Sequence, residues 1–464
     1  MKTGNLVLFL ILFPSVIRAG APQSVNTITF GKGLELDSIQ TLISDDGSPD
    51  LCNCSPEIRG VMAKRNGSDK YVLQAISSNP INSLYKAYKS SKNIDYSGLI
   101  ATSRDKIIFS SKDVNPVWIV ISSNNVHNQK YSFAMMNGKL LITGNRFSER
   151  VKQFDIADSS MSDAFNVDAA TGGIVPRGKY HINANGYYIL ANVSISTEPQ
   201  SLISLTTYYN QRILYSPLNN FSSMTAVRYI DFANDGDEIT GLGAIYGGNF
   251  KTIVNVFKPS SIGELYFTVL DLPSRGGDWV FTEVVRGFGC IAPGTLANTG
   301  QFYVFLAKDG VRIWDGGRQS RLTPTDSSRI ISGKIKPLID KIIGSGLYKN
   351  AVGIYYPKKE MYILSVEHPT RFPKGKNNYV IVYDFRTGEW WPYCNWLAAS
   401  LVSADGIGDN GQLYYGGSDD GYVFQQERGT SFDGSNLASS IVTHYNHLKS
   451  PRVNKDFRDL TLEI

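Results

Sequence analysis

The 464 residues carry 46 Lys plus Arg against 41 Asp plus Glu, a net charge of +5 spread along the whole chain. That distribution argues against a nucleic-acid-binding stripe, because electrostatic binding to a duplex needs basic residues clustered on one surface. The length suits one repetitive architecture or two to three ordinary domains, at about 100–200 residues per domain. With 43 Gly, 26 Tyr and 22 Phe and only 19% charged residues, the composition is the mixture that many short strands and tight turns require.

At the N-terminus, Lys2 precedes an apolar run from Leu6 to Ile17, and Ala19-Gly20-Ala21 offers small residues at a cleavage position. Residues 1–21 thus read as a secretory signal or as an apolar arm that packs on a neighbour. No later stretch approaches the roughly 20 apolar residues of a membrane span. From residue 22 the pattern switches to runs of β-branched and aromatic residues separated by Gly, Asn, Asp and Ser. That is the signature of strands and turns.

The expected strands, in chain order, are Lys106–Ser110, Val117–Ser122, Lys139–Thr143, Tyr187–Val193, Arg212–Tyr215, Thr252–Phe257, Phe302–Leu306, Met361–Val366, Tyr379–Tyr383 and Gln412–Tyr415. Turns at Lys308-Asp309-Gly310, Arg386-Thr387-Gly388 and Asp419-Asp420-Gly421 lead into further strands, since Asp and Gly tolerate the positive φ of hairpin turns. One segment departs from this pattern. Leu338, Ile339 and Ile342 recur at helical spacing between Pro337 and Gly344, which predicts a short helix over Lys336–Ile343 with its apolar stripe on a neighbouring unit. No linker rich in Pro or charge divides the remainder, so residues 22–464 are expected to form a single domain. The strand groups fit the blades of a propeller, while a sandwich or two stacked barrels would give similar strand statistics.

Residues that could carry chemistry point elsewhere when taken one by one. Gly173 to Lys179 has the outline of a phosphate loop, but Tyr180 stands where Mg²⁺ needs Ser or Thr, and Pro176 removes a backbone donor. A turn between strands is the better reading. His444 and His447 would face opposite sides of a strand, and the five histidines read as surface or turn residues. Asp231, Asp235, Asp237 and Glu238 lack the ligand spacing of a calcium loop and read as a solvated loop. The four cysteines, Cys52, Cys54, Cys290 and Cys394, are too scattered for a disulfide framework and read as buried thiols. Catalytic, cofactor and metal residues are therefore assigned to none. Trp390, Trp391, Tyr393 and Trp396 are candidates for blade packing or for a subunit contact. By alternation Trp390 and Trp391 point oppositely, one into a core and the other outward or against a partner.

Several stretches taken in order resemble the β-propeller tail proteins of short-tailed bacteriophages: the packaged-DNA stabilisation or tail-hub proteins and the related tail tubular B or nozzle proteins. Gly33-Leu34, the turn at Asp45, Gly47 and Pro49, and the basic Lys64-Arg65 look like their opening segment. Tyr208 to Ser216, around Arg212, is similar to their "N-R-L-Y-S" strand. Cys290 and Pro293 followed by Asp309 and Gly310 resemble a "GC-AP … DGV" blade, and Tyr383, Asp384 and Gly388 fall in a "V-VYD-RTG-WW" segment. Lys449-Ser450-Pro451 resembles their closing strand.

The resemblance implies an all-β propeller of six to eight blades and a role in the virion tail without catalysis. The chain would form a homo-oligomeric, hexameric ring below the portal and adaptor and contact distal tail proteins. Double-stranded DNA would pass through the ring without sequence-specific binding, and the ring would help retain packaged DNA. The alternative is an exported, periplasmic propeller, a carbohydrate-binding protein or glycosidase, suggested by the signal-like end and the tryptophans.

Overall fold

A computed structural model describes residues 30–443 apart from 40–41, 59–60, 92–93, 112–115, 166–173, 198–205, 233–234, 247–251, 269–277, 317–327, 372 and 405–410. Both chain ends, including the signal-like segment and the expected closing strand at Lys449–Pro451, lie outside the described residues.

The strands form seven four-stranded antiparallel units, one of them extended at its outer edge. Blade 1 comprises Ile81–Ser91, Ile94–Ser103, Lys106–Ser110 and Ile119–Ser122, and blade 2 comprises Tyr131–Met136, Lys139–Gly144, Lys152–Asp155 and Ser160–Asp163. Blade 3 is Ile174–Ala184, Tyr187–Thr197, Thr207–Tyr215 and Tyr229–Asp231; blade 4 is Gly241–Tyr246, Thr252–Phe257, Ser261–Thr268 and Asp278–Arg286. Blade 5 is Ala297–Asn298, Tyr303–Ala307, Gly310–Trp314 and Ser328–Ile330, and blade 6 is Val352–Tyr356, Met361–Val366, Tyr379–Asp384 and Glu389–Cys394. Blade 7 takes Ala398–Ala404, Gln412–Gly417 and Val423–Gln426 from the end of the chain and its fourth strand, Ser68–Lys70, from the beginning.

The first strands line the axis. Those of blades 1 and 2, 2 and 3, 3 and 4, 5 and 6, and 6 and 7 lie against one another, and that of blade 7 lies against that of blade 1. Blades 4 and 5 meet through Phe257 and Ile262 packed with Tyr303, Phe305 and Trp314. The chain is thus an all-β, seven-bladed propeller, which fixes the count within the six to eight expected. Of the ten expected strands, Lys106–Ser110, Thr252–Phe257 and Met361–Val366 have the expected bounds, and the others differ at one or both ends.

Several inner strands of the blades are nearly continuous in apolar side chains because neighbouring blades cover them on both faces. Met361–Val366 and Tyr379–Asp384 are buried throughout. The helix runs Lys336–Gly344 behind a 3₁₀ turn, Gly333–Ile335, with Pro337 in its first turn and Gly346 beyond its end at φ +69°. Its buried face, Leu338, Ile339 and Ile342, joins the core shared by blades 5 and 6.

Closure of the ring rests on three pairs in antiparallel register: Lys70 with Phe424, Asp69 with Gln425 and Ser68 with Gln426. Gly67 enters this strand where a Cβ would overlap the Ser431 carbonyl oxygen and come within 2.8 Å of that of Arg428. We predict that Gly67→Ala lowers stability by about 2 kcal/mol or more and speeds amide exchange across Val423–Gln426. Gly333→Ala, whose Cβ would meet nothing within 4 Å, is the neutral comparison. Equal urea midpoints for the two variants would refute this account of the closure.

Candidate functional site

The four candidate aromatics lie together, and none is open to solvent. Trp390, Trp391, Tyr393 and Trp396 are 1%, 0%, 6% and 1% exposed. Glu389–Cys394 is the outer strand of blade 6, a position that would ordinarily expose one face. The chain's own N-terminal segment covers it instead. Leu34 donates its N–H to the Trp390 carbonyl at 2.9 Å, and Gly33 sits at φ +63° where a Cβ would crowd that same oxygen. Asp50–Cys52 pairs with Ser440–Val442 near the chain's other end. The hairpin Cys54–Ile58 with Val61–Lys64 also leans on the blade 6 strand.

Both tryptophans are therefore inside, which corrects the expectation that one faces outward. The Trp390 indole donates to the Ile331 carbonyl at 2.7 Å, between blades 5 and 6. Trp391 shares the face of Tyr393 by alternation. Tyr393 in turn stacks on Trp396, which meets Tyr415 of blade 7 edge-on. The observed role of the four side chains is packing.

Arg65 closes this assembly. Its guanidinium is buried, 5.3 Å from the centre of the Tyr393 ring and 5.4 Å from that of Trp396. Burial pushes its pKa down, while the Tyr393, Tyr415 and Glu427 side chains pull the other way. The residue that holds it, Asn53, carried no sequence signal for this role, only a place between two cysteines and at the head of an Asn-Cys-Ser sequon. Asn53 sits at φ +56°, accepts at Oδ1 from Arg65 Nε at 2.8 Å and from the Cys394 N–H at 3.0 Å, and donates through Nδ2 to the Ala438 carbonyl at 2.7 Å. One amide thus ties the N-terminal segment, blade 6 and the C-terminal segment. Beside it Cys52 and Cys394 form a disulfide with Cα atoms 5.5 Å apart, so the buried-thiol reading holds for Cys54 and Cys290 alone. A separation of 342 residues hides such a pair from any spacing argument.

The other family-like residues divide between this body and one outer edge. Asp45, Gly47 and Pro49 form the turn beside the Leu34–Ser48 bridge. Asp384, fully buried, accepts from the Arg386 backbone N–H and from its guanidinium, which also donates to the Pro56 carbonyl. Tyr383 packs against Trp390 with ring centres 5.1 Å apart, and Gly388 takes φ +75° at the hairpin that follows. Asp309 and Gly310 form the hairpin of blade 5, where Asp309 pairs with Arg312. Cys290 is buried below the Pro293 turn, its thiol pushed up to about 12 by burial.

Arg212 stands apart, on the outer part of blade 3. Its guanidinium lies 3.8 Å from the centre of the Tyr209 ring and 3.9 Å from that of Tyr229, and it donates twice to Asp231 at 2.6 Å. Tyr229 is 46% exposed and Val227 80%.

The residues tested for chemistry have other engagements. Ile174–Ala184, containing most of the phosphate-loop lookalike, is an inner strand and not a turn. Its Pro176 is tolerated because the inner strand of a blade is an edge. Among the acidic residues, Asp231 pairs with Arg212, Asp235 with Lys258, Asp237 with Ser260, and Glu238 with Lys179 and Asn192. Each carboxylate thus faces a different donor. His444 and His447 lie outside the described residues. His181 corrects the surface expectation: it is buried on blade 3 with Nδ1 2.7 Å from the Tyr188 hydroxyl.

The sequence matches no protein-family model and no curated protein. Among solved structures, the WD40 β-propeller domain of Doa1 is 11% identical, with a TM-score of 0.42 over 77% of this chain and 96% of that one. The β-propeller domain of Myceliophteria thermophila Cps50 (Swd1) is 9% identical, with a TM-score of 0.41 over 77% and 99%.

Two measurements probe these sites. Asn53→Gly keeps the positive φ, loses three hydrogen bonds and strands Arg65, so we expect a loss of about 3 kcal/mol. Asn124→Gly, at an exposed positive-φ position, should change stability by less than about 0.5 kcal/mol; matching losses would show that Asn53 ties nothing together. The second concerns His181, held neutral by burial with its pKa pushed down to about 3. Between that value and the unfolded pKa of about 6.5, the unfolded chain takes up a proton that the folded chain refuses. Its contribution is full above about pH 6.5 and is lost as pH falls, by up to about 1.4 kcal/mol per pH unit. His181→Gln should flatten that part of the slope in urea midpoints, and parallel slopes for the two proteins would disprove it.

Proposed function

We propose that this protein is a structural subunit of the tail of a short-tailed bacteriophage, a hub or nozzle component that acts by shape and cleaves no bond. In this reading identical copies close into a ring beneath the portal and adaptor, and the ring lets DNA pass and helps retain it. The observation that carries the reading is the Tyr209–Arg212–Tyr229 stack. An arginine held flat between two tyrosines and fixed by Asp231, at an outer edge with Val227 and Tyr229 exposed, has the chemistry of a protein–protein contact, where Tyr and Arg are enriched. It falls in the stretch that resembles the tail proteins' "N-R-L-Y-S" strand.

The stack is also pre-organised. Because Arg212 is fixed before any partner arrives, association loses little side-chain freedom there. Most of the remaining family-like residues build the body of blades 5 and 6 with the N-terminal segment, a rigid mount for such an edge. A ring of copies needs that rigidity, since small angular errors between subunits prevent closure.

The purified full chain should assemble into a closed ring by light scattering coupled to size exclusion and by electron microscopy. Arg212→Ala combined with Tyr229→Ala should weaken assembly by about a hundredfold or more. The fold should lose about 1–3 kcal/mol and stay native by circular dichroism, because the Arg212 side chain is only 13% exposed and packs on both rings. A chain that stays monomeric at all concentrations, or that hydrolyses a sugar, would overturn the proposal.

A further inference from the structure

Segments from opposite ends of the chain are held to blade 6 by one covalent bond. Cys52 closes the strand Asp50–Cys52, which pairs with Ser440–Val442, and its Sγ is bonded to that of Cys394 at the end of the outer strand of blade 6. The two sulfurs differ in their surroundings. Cys394 is 2% exposed, whereas Cys52 is half-buried. A guanidinium also stands against Cys394: Arg371 donates through Nη1 to its Sγ at 3.1 Å. The Tyr379 ring holds this cation in place, with 4.7 Å between the guanidinium carbon and the ring centre. The carboxylate nearest to it, that of Asp50 on the Cys52 strand, is 4.0 Å away.

A disulfide sulfur is a weak acceptor, so a guanidinium gains little from it. Against a thiolate both partners are charged, and the same contact strengthens. Arg371 therefore favours the state in which the bond is broken and Cys394 carries the charge, as cations beside a thiol do in general. In thiol–disulfide exchange the sulfur that leaves best is the one most stable as a thiolate, and the rate depends on which sulfur a reagent can reach. Access and charge agree here: both direct attack to Cys52 and departure to Cys394. Neither remaining thiol is poised to attack. Cys54 is buried, which pushes its pKa up, and its thiol donates to the Cys52 carbonyl at 3.4 Å. Cys290 is buried as well and donates to the Ala292 carbonyl at 3.2 Å. The attacking thiol has to come from outside the chain.

We propose that Cys52–Cys394 is a reversible redox latch, opened by an external dithiol that attacks Cys52 and expels Cys394 as a thiolate held by Arg371, and that opening it loosens the terminal strand pair on blade 6. A thiolate of the dithiol forms a bond to Cys52 Sγ, and the electron pair of the broken S–S bond leaves with Cys394 Sγ. The second thiol of the reagent, deprotonated, then displaces Cys52. The dithiol is oxidised to a disulfide and the chain gains two electrons. Of the two protons that the dithiol sheds, one ends on the Cys52 thiol and the other enters solvent while Cys394 stays a thiolate beside Arg371. Asn53 still bridges Arg65, the Cys394 N–H and the Ala438 carbonyl in the open state, so the joint loosens without coming apart. The latch is a property of a single chain and stands apart from the tail-subunit reading.

Reduction of the folded full chain by dithiothreitol, followed by alkylation and mass spectrometry, tests this. The unreduced chain, once denatured, should present only Cys54 and Cys290 to the alkylating reagent. A monothiol, 2-mercaptoethanol, should be trapped as a mixed disulfide on Cys52 and not on Cys394. Arg371→Met should slow reduction by about fivefold or more, and Arg371→Lys, which keeps the charge, should recover most of the rate; circular dichroism verifies that both fold. The trapping experiment uses the unaltered chain and decides the matter if they do not. On reduction, amide exchange at Asp50–Cys52 and Ser440–Val442 should speed by about tenfold or more, while exchange at Met361–Val366 in the blade 6 core stays as it was. Four alkylated cysteines without reduction, trapping on Cys394, a wild-type rate in folded Arg371→Met, or terminal-strand exchange that ignores reduction would each overturn the proposal.

Discussion

The whole ring depends on three residue pairs. Ser68–Lys70 has to find Val423–Gln426 across more than three hundred residues of chain before blade 7 is complete. Blades 1 and 7 also pack through Ile81 and Leu84 on Val402 and Ala404, but without this pairing blade 7 lacks its fourth strand. Loop-closure entropy makes such a pairing slow to form, and a three-residue strand holds little of it in place. Most of the unusual features of the sequence near either end make sense as reinforcement of this joint.

That reinforcement lies on blade 6. The N-terminal segment crosses the outer strand Glu389–Cys394 before it reaches blade 7, and the C-terminal strand Ser440–Val442 is brought to the same place by Asp50–Cys52. Asn53, the Cys52–Cys394 disulfide and the buried Arg65 stand within a few residues of one another. Arg65 is the costly member, a guanidinium taken from water without a carboxylate in contact. Two aromatic faces and two oxygen acceptors offset the desolvation. A leucine would fill the space at less cost but would leave Asn53 Oδ1 short of a donor and the segment without a unique register.

Strand character was legible because buried strands covered on both faces read as apolar runs, and the helix because Leu338, Ile339 and Ile342 break that rhythm with Pro337 ahead of them. Closure was not legible: Ser-Asp-Lys has no strand signature, and it becomes a strand only when blade 7 presents an unpaired edge. The same holds for Asn53, whose importance lies wholly in long-range partners, and for Cys52 with Cys394. Alternation along Glu389–Cys394 correctly separated Trp390 from Trp391. It failed to see that a second layer of chain would cover the outward face.

Covering blade 6 and extending blade 7 leave the protein asymmetric, and that asymmetry restricts where other molecules can attach. The outer strands of blades 1, 2 and 3, Ile119–Ser122, Ser160–Asp163 and Tyr229–Asp231, are short and largely exposed. Exposed strand edges invite pairing. On blade 1 Val117, Ile119 and Val120 are 64%, 47% and 52% exposed, so that edge is apolar, whereas the blade 3 edge is organised around a cation between tyrosines. In the ring proposed above, two edges of different chemistry on one disc would suit a head-to-tail contact between copies better than a two-fold one. Head-to-tail contacts are those that close into rings when the angle between neighbours is fixed. In that proposed ring the angle would be set by the rigid blades between those two edges, which would tie its geometry back to the strand pairing that closes the propeller.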